Sequence, residues 1–110
     1  MGMLLGLGMR SIVSCHGHVS IGSRVLIGPD VHIFTSKHMF NSSTRRYYQA
    51  GLEFAPVTIE NDVWIGARVT IPPGVRIATG CTVAAGSVVV RSTPPNTLVA
   101  GVPAKAVRTI

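Results

Sequence analysis

Acidic side chains are scarce in this 110-residue chain: Asp30, Glu53, Glu60 and Asp62 stand against ten Lys and Arg, for a formal net charge of +6. A metal centre whose histidine ligands are held in place by carboxylates has little to draw on, so no metal is expected. Aromatics are only 5% of the chain, which leaves no row of rings on which nucleic-acid bases could stack. The basic residues are scattered, with Arg45-Arg46 the only doublet, and the charge fits a small polyanionic ligand or solubility better than a nucleic acid. Long apolar runs are missing too. The N-terminal stretch Met1 to Met9 is far below the ~18 residues of a membrane span. Ile12-Val13-Ser14-Cys15 has the look of a lipoprotein cleavage site, but no positive charge precedes the apolar run Met1 to Met9 and Arg10 interrupts it. The two cysteines, Cys15 and Cys81, make no disulfide framework, and a reducing cytoplasm is the expected location.

What is abundant is small and aliphatic. Apolar residues make up 46% of the chain, enough to exclude a disordered tail, and one domain is expected at this length. Twelve Gly and seven Pro imply a chain that turns often. Every sixth residue is β-branched and aliphatic: Ile21, Ile27 and Ile33, then, after a break of phase, Ile59, Ile65, Ile71, Ile77, Val83 and Val89. Two places before each stand Val19, Val25, Val31, Val57, Val63, Val69, Val75, Cys81 and Ser87. This is a hexapeptide repeat. Six residues make one short strand and one tight turn, so three repeats form one coil of a three-sided prism. Coils stack at the spacing of hydrogen-bonded strands, and the periodic aliphatics fill the interior.

The expected fold is all-β, a parallel β-helix in a single domain. Residues 1–36 form N-terminal coils, with Met3, Met9 and Cys15 on the inward register of a degenerate first coil. Residues 35–56 form a protruding loop, because the separation of Ile33 and Ile59 is not a multiple of six and long insertions in compact repeats carry function or are disordered. Residues 57–92 form C-terminal coils. At Ser92-Thr93-Pro94-Pro95-Asn96 the repeat ends and the chain is expected to leave the prism as a short tail, 93–110. Both cysteines are read as buried structural thiols.

Thr35 to His38, Val63-Trp64-Ile65-Gly66-Ala67, Ala84-Ala85-Gly86-Ser87, Pro94-Pro95-Asn96 and Ala100-Gly101-Val102-Pro103-Ala104-Lys105 occur in an order and spacing that resemble the hexapeptide-repeat acyltransferases. Within that family the chain is similar to the galactoside and maltose O-acetyltransferases and related polysaccharide acetyltransferases, over roughly residues 19 to 110. The resemblance implies a left-handed β-helix, against the usual right-handed crossover. It also implies a homotrimer with sites between subunits, and acetyl-coenzyme A as co-substrate for transfer to a small-molecule acceptor. An oligomer is favoured independently, because so small a prism has little interior for its surface.

The resemblance puts the general base at His38. An alcohol is a poor nucleophile at neutral pH, and an imidazole can take its proton as attack proceeds. It puts the pantetheine arm of coenzyme A along Trp64, Ala67, Ala85 and Gly86, where small residues allow close approach, with the N–H of Ala67 stabilising the oxyanion. Arg91, Lys105 and Arg108 fall where the family has basic residues near the phosphates. His16 aligns with an acceptor-side position that is usually acidic, and is taken as substrate-binding. His16, His18 and His32 together also resemble the zinc site of the γ-class carbonic anhydrases.

The leading expectation is an acetyl-coenzyme A-dependent O-acetyltransferase acting on a saccharide or similar hydroxyl. The alternatives are a γ-class carbonic-anhydrase-like zinc protein and a non-catalytic β-helical scaffold left by truncation. The last rests on two departures. Family members carry helices and further coils ahead of Val19, where this chain has Met1 to His18, and it ends at Ile110, soon after Lys105.

Overall fold

The computed structural model describes residues 5–7, 12–13 and 18–110. Fourteen strands follow one another among the described residues: β1 (Leu5–Leu7), β2 (Ile12–Val13), β3 (Val19–Ile21), β4 (Val25–Ile27), β5 (His32–Ile33), β6 (Ser36–His38), β7 (Leu52–Phe54), β8 (Val57–Ile59), β9 (Trp64–Ile65), β10 (Thr70–Ile71), β11 (Arg76–Ile77), β12 (Thr82–Val83), β13 (Thr97–Gly101) and β14 (Ala104–Thr109). No helix occurs among the described residues.

Successive strands of the repeat do not pair with each other. They pass in turn to three sheets, ordered β1-β4-β9-β12-β13-β14, β10-β5-β2 and β11-β8-β3. Pairing is parallel between coils, with Ile27 opposite Ile65 and Ile65 opposite Val83 on one side, Ile33 opposite Ile71 on the second and Ile59 opposite Ile77 on the third. The chain therefore coils around a three-sided prism.

Each side buries two residues at positions i and i+2, since alternate side chains of a strand share a face. Val25 with Ile27, Val57 with Ile59, Val63 with Ile65, Val69 with Ile71 and Val75 with Ile77 are all buried, as are Cys81 with Val83 and Ser87 with Val89. The residue between each pair points outward, as Leu26 and Trp64 do. Most corners place a residue in the left-handed region immediately before the inward pair, while Pro56 precedes the pair Val57 and Ile59. Arg24, Asp30, Asp62 and Arg68 adopt it at φ of 57–58°, and Gly74, Gly80 and Gly86 serve three further corners. Outside glycine that conformation costs roughly 1–2 kcal/mol per residue. At one corner the strained residues are tied to each other, for Arg24 Nε and Nη2 donate to the Asp62 carboxylate at 2.6 and 3.0 Å.

Between β5 and β8 the chain leaves the prism through a closed neck, where Ala55 N–H donates to Thr35 C=O at 2.9 Å. It forms a hairpin, β6 pairing antiparallel with β7 so that Lys37 faces Glu53 and His38 faces Leu52.

Two expectations of register are corrected. Leu7 stands opposite Ile27 and Val13 opposite Ile33, each two residues earlier than strict six-residue counting would place the partner. Pairing with β4 and β5 sets that register, and the expected inward residues Met3, Met9 and Cys15 lie outside the described residues. At the other end the chain does not leave the prism at Ser92. After the bend at 92–96, β13 returns to the first sheet, with Val99 buried opposite Val83, and β14 folds back antiparallel along its edge.

Candidate functional site

Trp64 is the outward residue of β9, flanked by the buried Val63 and Ile65, so its indole lies on the flat side of the prism and is 58% exposed. Beside it runs a groove of about 390 Å³ lined by Gly28, Pro29, Trp64, Gly66, Ala67, Thr82 and Ala85, among others. Its floor is a column of small residues one coil apart. The glycines are required there: a Cβ on Gly28 would come within 2.8 Å of the Ala67 nitrogen. Their own amides are used in the ladder, Gly28 N–H donating to Ile65 C=O and Gly66 N–H to Val83 C=O, both at 2.8 Å. The amides of Ala67 and Ala85 have no hydrogen-bond partner among the described residues. Two free donors in an apolar groove suit a ligand with amide or carbonyl oxygens spaced along an arm.

A second groove, of about 490 Å³, lies at the C-terminal end of the prism, where β14 folds over the bend after Val89. Arg91, Pro94, Pro103, Lys105 and Ala106 line it. Neither Arg91 nor Lys105 has a carboxylate partner among the described residues; Glu53, Glu60 and Asp62 are taken by Lys37, Arg76 and Arg24. Two unpaired cations at the mouth of an apolar groove suit phosphate groups.

The expected site residues thus fall into separate places. Trp64, Ala67 and Ala85 share the first groove, with Gly86 at its edge donating its N–H to Ala67 C=O at 2.8 Å. Arg91 and Lys105 share the second. Arg108 sits on β14 opposite Leu98 and lines neither groove. His38 is exposed on the hairpin and lines neither groove in this single chain. His16 lies outside the described residues. His32 packs edge-on against Phe34, with ring centroids 6.0 Å apart, and His18 is exposed. No three metal-ligating side chains gather among the described residues. The sequence reading leaves Gly28, Pro29 and Gly66 out of the site. Gly28 and Gly66 follow inward isoleucines at equivalent repeat positions, and that equivalence is the signal that they stack into one groove.

Residues 56–91 match the model of the bacterial transferase hexapeptide family, described as six repeats. The chain belongs to the hexapeptide-repeat family. The matched stretch holds Trp64, Ala67, Ala85, Gly86 and Arg91, while His38, Lys105 and Arg108 lie outside it. The chain is similar to the galactoside O-acetyltransferase of Escherichia coli K12, with 40% identity over 92 residues, covering 84% of this chain and 44% of that protein. Its fold is similar to that of a hexapeptide-repeat-containing acetyltransferase from Vibrio cholerae O1 biovar eltor, solved in complex with acetyl coenzyme A. The TM-score is 0.89 at 37% identity, covering 98% of this chain and 58% of that one. A maltose O-acetyltransferase from Clostridium difficile 630 superposes with a TM-score of 0.77 at 30% identity, covering 96% and 59%. The hexapeptide-repeat chain spans less than half the length of the curated relatives that it matches over most of its own length.

Proposed function

We propose that this chain forms the acetyl-coenzyme A-binding and catalytic part of an O-acetyltransferase whose acceptor is a saccharide or similar hydroxyl compound. The observation that carries the reading is the groove beside Trp64, with the unpartnered amides of Ala67 and Ala85 in its wall. Pantetheine has carbonyl oxygens to accept from such amides and a slender arm that fits a floor of glycine and alanine. Arg91 and Lys105, at the end of the prism, carry charge of the sign that coenzyme A phosphates need, and Arg108 lies three residues beyond Lys105 on β14.

In this reading the coil is left-handed, as in the family, and three chains associate side by side in the cytoplasm. His38 of one chain then faces the Trp64 groove of its neighbour, which supplies the reason why a single chain keeps them apart. His38 accepts the proton of the acceptor hydroxyl as its oxygen attacks the thioester carbonyl. The Ala67 N–H donates to the oxygen on which negative charge collects. The imidazolium then returns the proton to the departing thiolate, and His38 is neutral again.

The direct test is calorimetric titration with acetyl-coenzyme A, followed by a screen of saccharide acceptors in which free coenzyme A is the readout. Saturable binding that is lost in Gly66→Val, together with acceptor-dependent release, supports the reading. A folded chain that shows no binding at low salt overturns it.

A further inference from the structure

The charges of this chain sort into those that are paired and those that are not, and the unpaired ones raise a question about the hairpin. Six cations have no carboxylate partner among the described residues: Arg45, Arg46, Arg68, Arg91, Lys105 and Arg108. Three of these belong to the C-terminal end already described. Two of the others, Arg45 and Arg46, are adjacent at the tip of the hairpin that carries His38. From Lys37 to Leu52 the hairpin has no acidic residue, and the sole acid of its strands, Glu53, is 3.8 Å from Lys37.

The tip is built rather than slack. Asn41 pairs with Arg46 across it, Asn41 Oδ1 accepts from Ser43 N–H at 2.9 Å and Thr44 N–H at 3.2 Å, and Arg46 Nη1 donates to Arg45 C=O at 3.1 Å. That last bond orients one guanidinium while leaving most of its N–H groups free. Around it stand exposed rings. Phe40 meets Tyr47 edge-on with centroids 5.0 Å apart, and Tyr48 is 82% exposed. Exposed flat rings on the same hairpin tip as one orientated guanidinium and a second arginine are what a saccharide bearing acid groups requires: a surface for the sugar ring, and planar forks for planar carboxylates. The distance is suitable. Asn41 is three residues beyond His38, at most about 11 Å of chain, which is within the length of a short oligosaccharide.

We propose that the hairpin tip formed by Phe40, Arg45, Arg46, Tyr47 and Tyr48 selects a carboxylate-bearing saccharide, of the uronic-acid kind, as the acceptor. This rests on the acetyltransferase reading for its purpose but not for its test, because saccharide binding can be measured without turnover.

The experiment is titration of the full chain with trigalacturonate and with galactotriose, which share a ring and differ in charge, at low and at physiological salt. Trigalacturonate should bind at least about tenfold more tightly, and the advantage should shrink as salt rises, as expected for charges at a surface. The double variant Arg45→Gln, Arg46→Gln should reduce the preference to within about twofold, and Arg46→Lys, which keeps the charge without the fork, should fall between. Equal affinity for the two sugars, or a preference unchanged in the double variant, overturns the proposal. Acetyl-coenzyme A binding, measured on the same preparation, separates the two readings. If trigalacturonate binds at the tip and acetyl-coenzyme A does not bind, the acetyltransferase reading fails and the acidic-saccharide site stands.

Discussion

Gly66 lies so close beneath Ala85 that a Cβ on it would come within 2.7 Å of the Ala85 nitrogen, 3.0 Å of its Cα and 3.1 Å of the Val83 carbonyl oxygen. All three are backbone atoms of the next coil, and none can turn aside. Gly66→Ala should therefore push two coils apart and close the groove beside Trp64 at once. The cost expected for such overpacking is about 1–3 kcal/mol. Thermal melting of the variant should show the loss, and acetyl-coenzyme A titration should show weaker binding. An unchanged melting temperature with unchanged binding would remove Gly66 from the site.

The interior makes a second, purely structural prediction. Ile65 is fully buried between Ile27 and Val83 in the first sheet. Ile65→Ala should cost about 2–5 kcal/mol by transfer and cavity terms, and Ile65→Val about 0.5–1.5 kcal/mol. Denaturant titration of both variants measures the difference, and a cost for the alanine variant below that of the valine variant would contradict the ladder.

Acid should weaken the prism through two carboxylates. Arg76 and the Thr79 amide, which donates to Glu60 Oε1 at 2.9 Å, hold the Glu60 carboxyl below its ordinary range. Arg24 does the same for Asp62. Because both are lowered in the folded state, the stability they contribute is full above the ordinary carboxylate range of about 4 and is lost as pH falls through the folded values. Denaturation midpoints at pH 6 and pH 3 should differ by less in Glu60→Gln, Asp62→Asn than in the wild type. An identical difference would mean that other groups govern acid lability.

Much of the fold is legible in the sequence because core and repeat are the same residues: the side chains that fill the prism, from Ile21 to Val83, are those that recur every six places. Legibility fails where pairing rather than period sets position. Leu7 and Val13 find Ile27 and Ile33 through strand pairing that skips two residues, and no count in sixes reaches them. Likewise Thr97 and Val99 repeat the inward pair two residues apart after a bend that breaks the period. A reader looking for the pair alone would find β13. The candidate site is legible only in parts. Ala67 and Ala85 are visible as equivalent repeat positions, but their free amides become evident only when Gly28 and Gly66 are seen to spend theirs on the neighbouring coil. His38 is marked by the residues around it in the sequence, since its pairing with Leu52 in the hairpin is an ordinary strand contact.

The basic groove supplies a prediction about salt. Arg91→Gln and Lys105→Gln should each weaken coenzyme A binding by about tenfold at low salt, the share of one charge-assisted hydrogen bond. Both losses should shrink as ionic strength rises, because exposed charges are screened within about 10 Å at 0.1 M. Calorimetry across a salt series checks this, and a salt-independent affinity in the wild type would assign the phosphates to other groups.

The most direct test of the account is the acetyl-transfer rate of His38→Ala on a good saccharide acceptor, compared with wild type under saturating acetyl-coenzyme A. His38 is exposed on a hairpin outside the prism, so the variant should keep its melting temperature and its affinity for the coenzyme. Its turnover should fall by about 10²–10⁴-fold, the usual share of a positioned base. Turnover within a few-fold of wild type would contradict the assignment of His38 and with it the chemistry proposed for this chain.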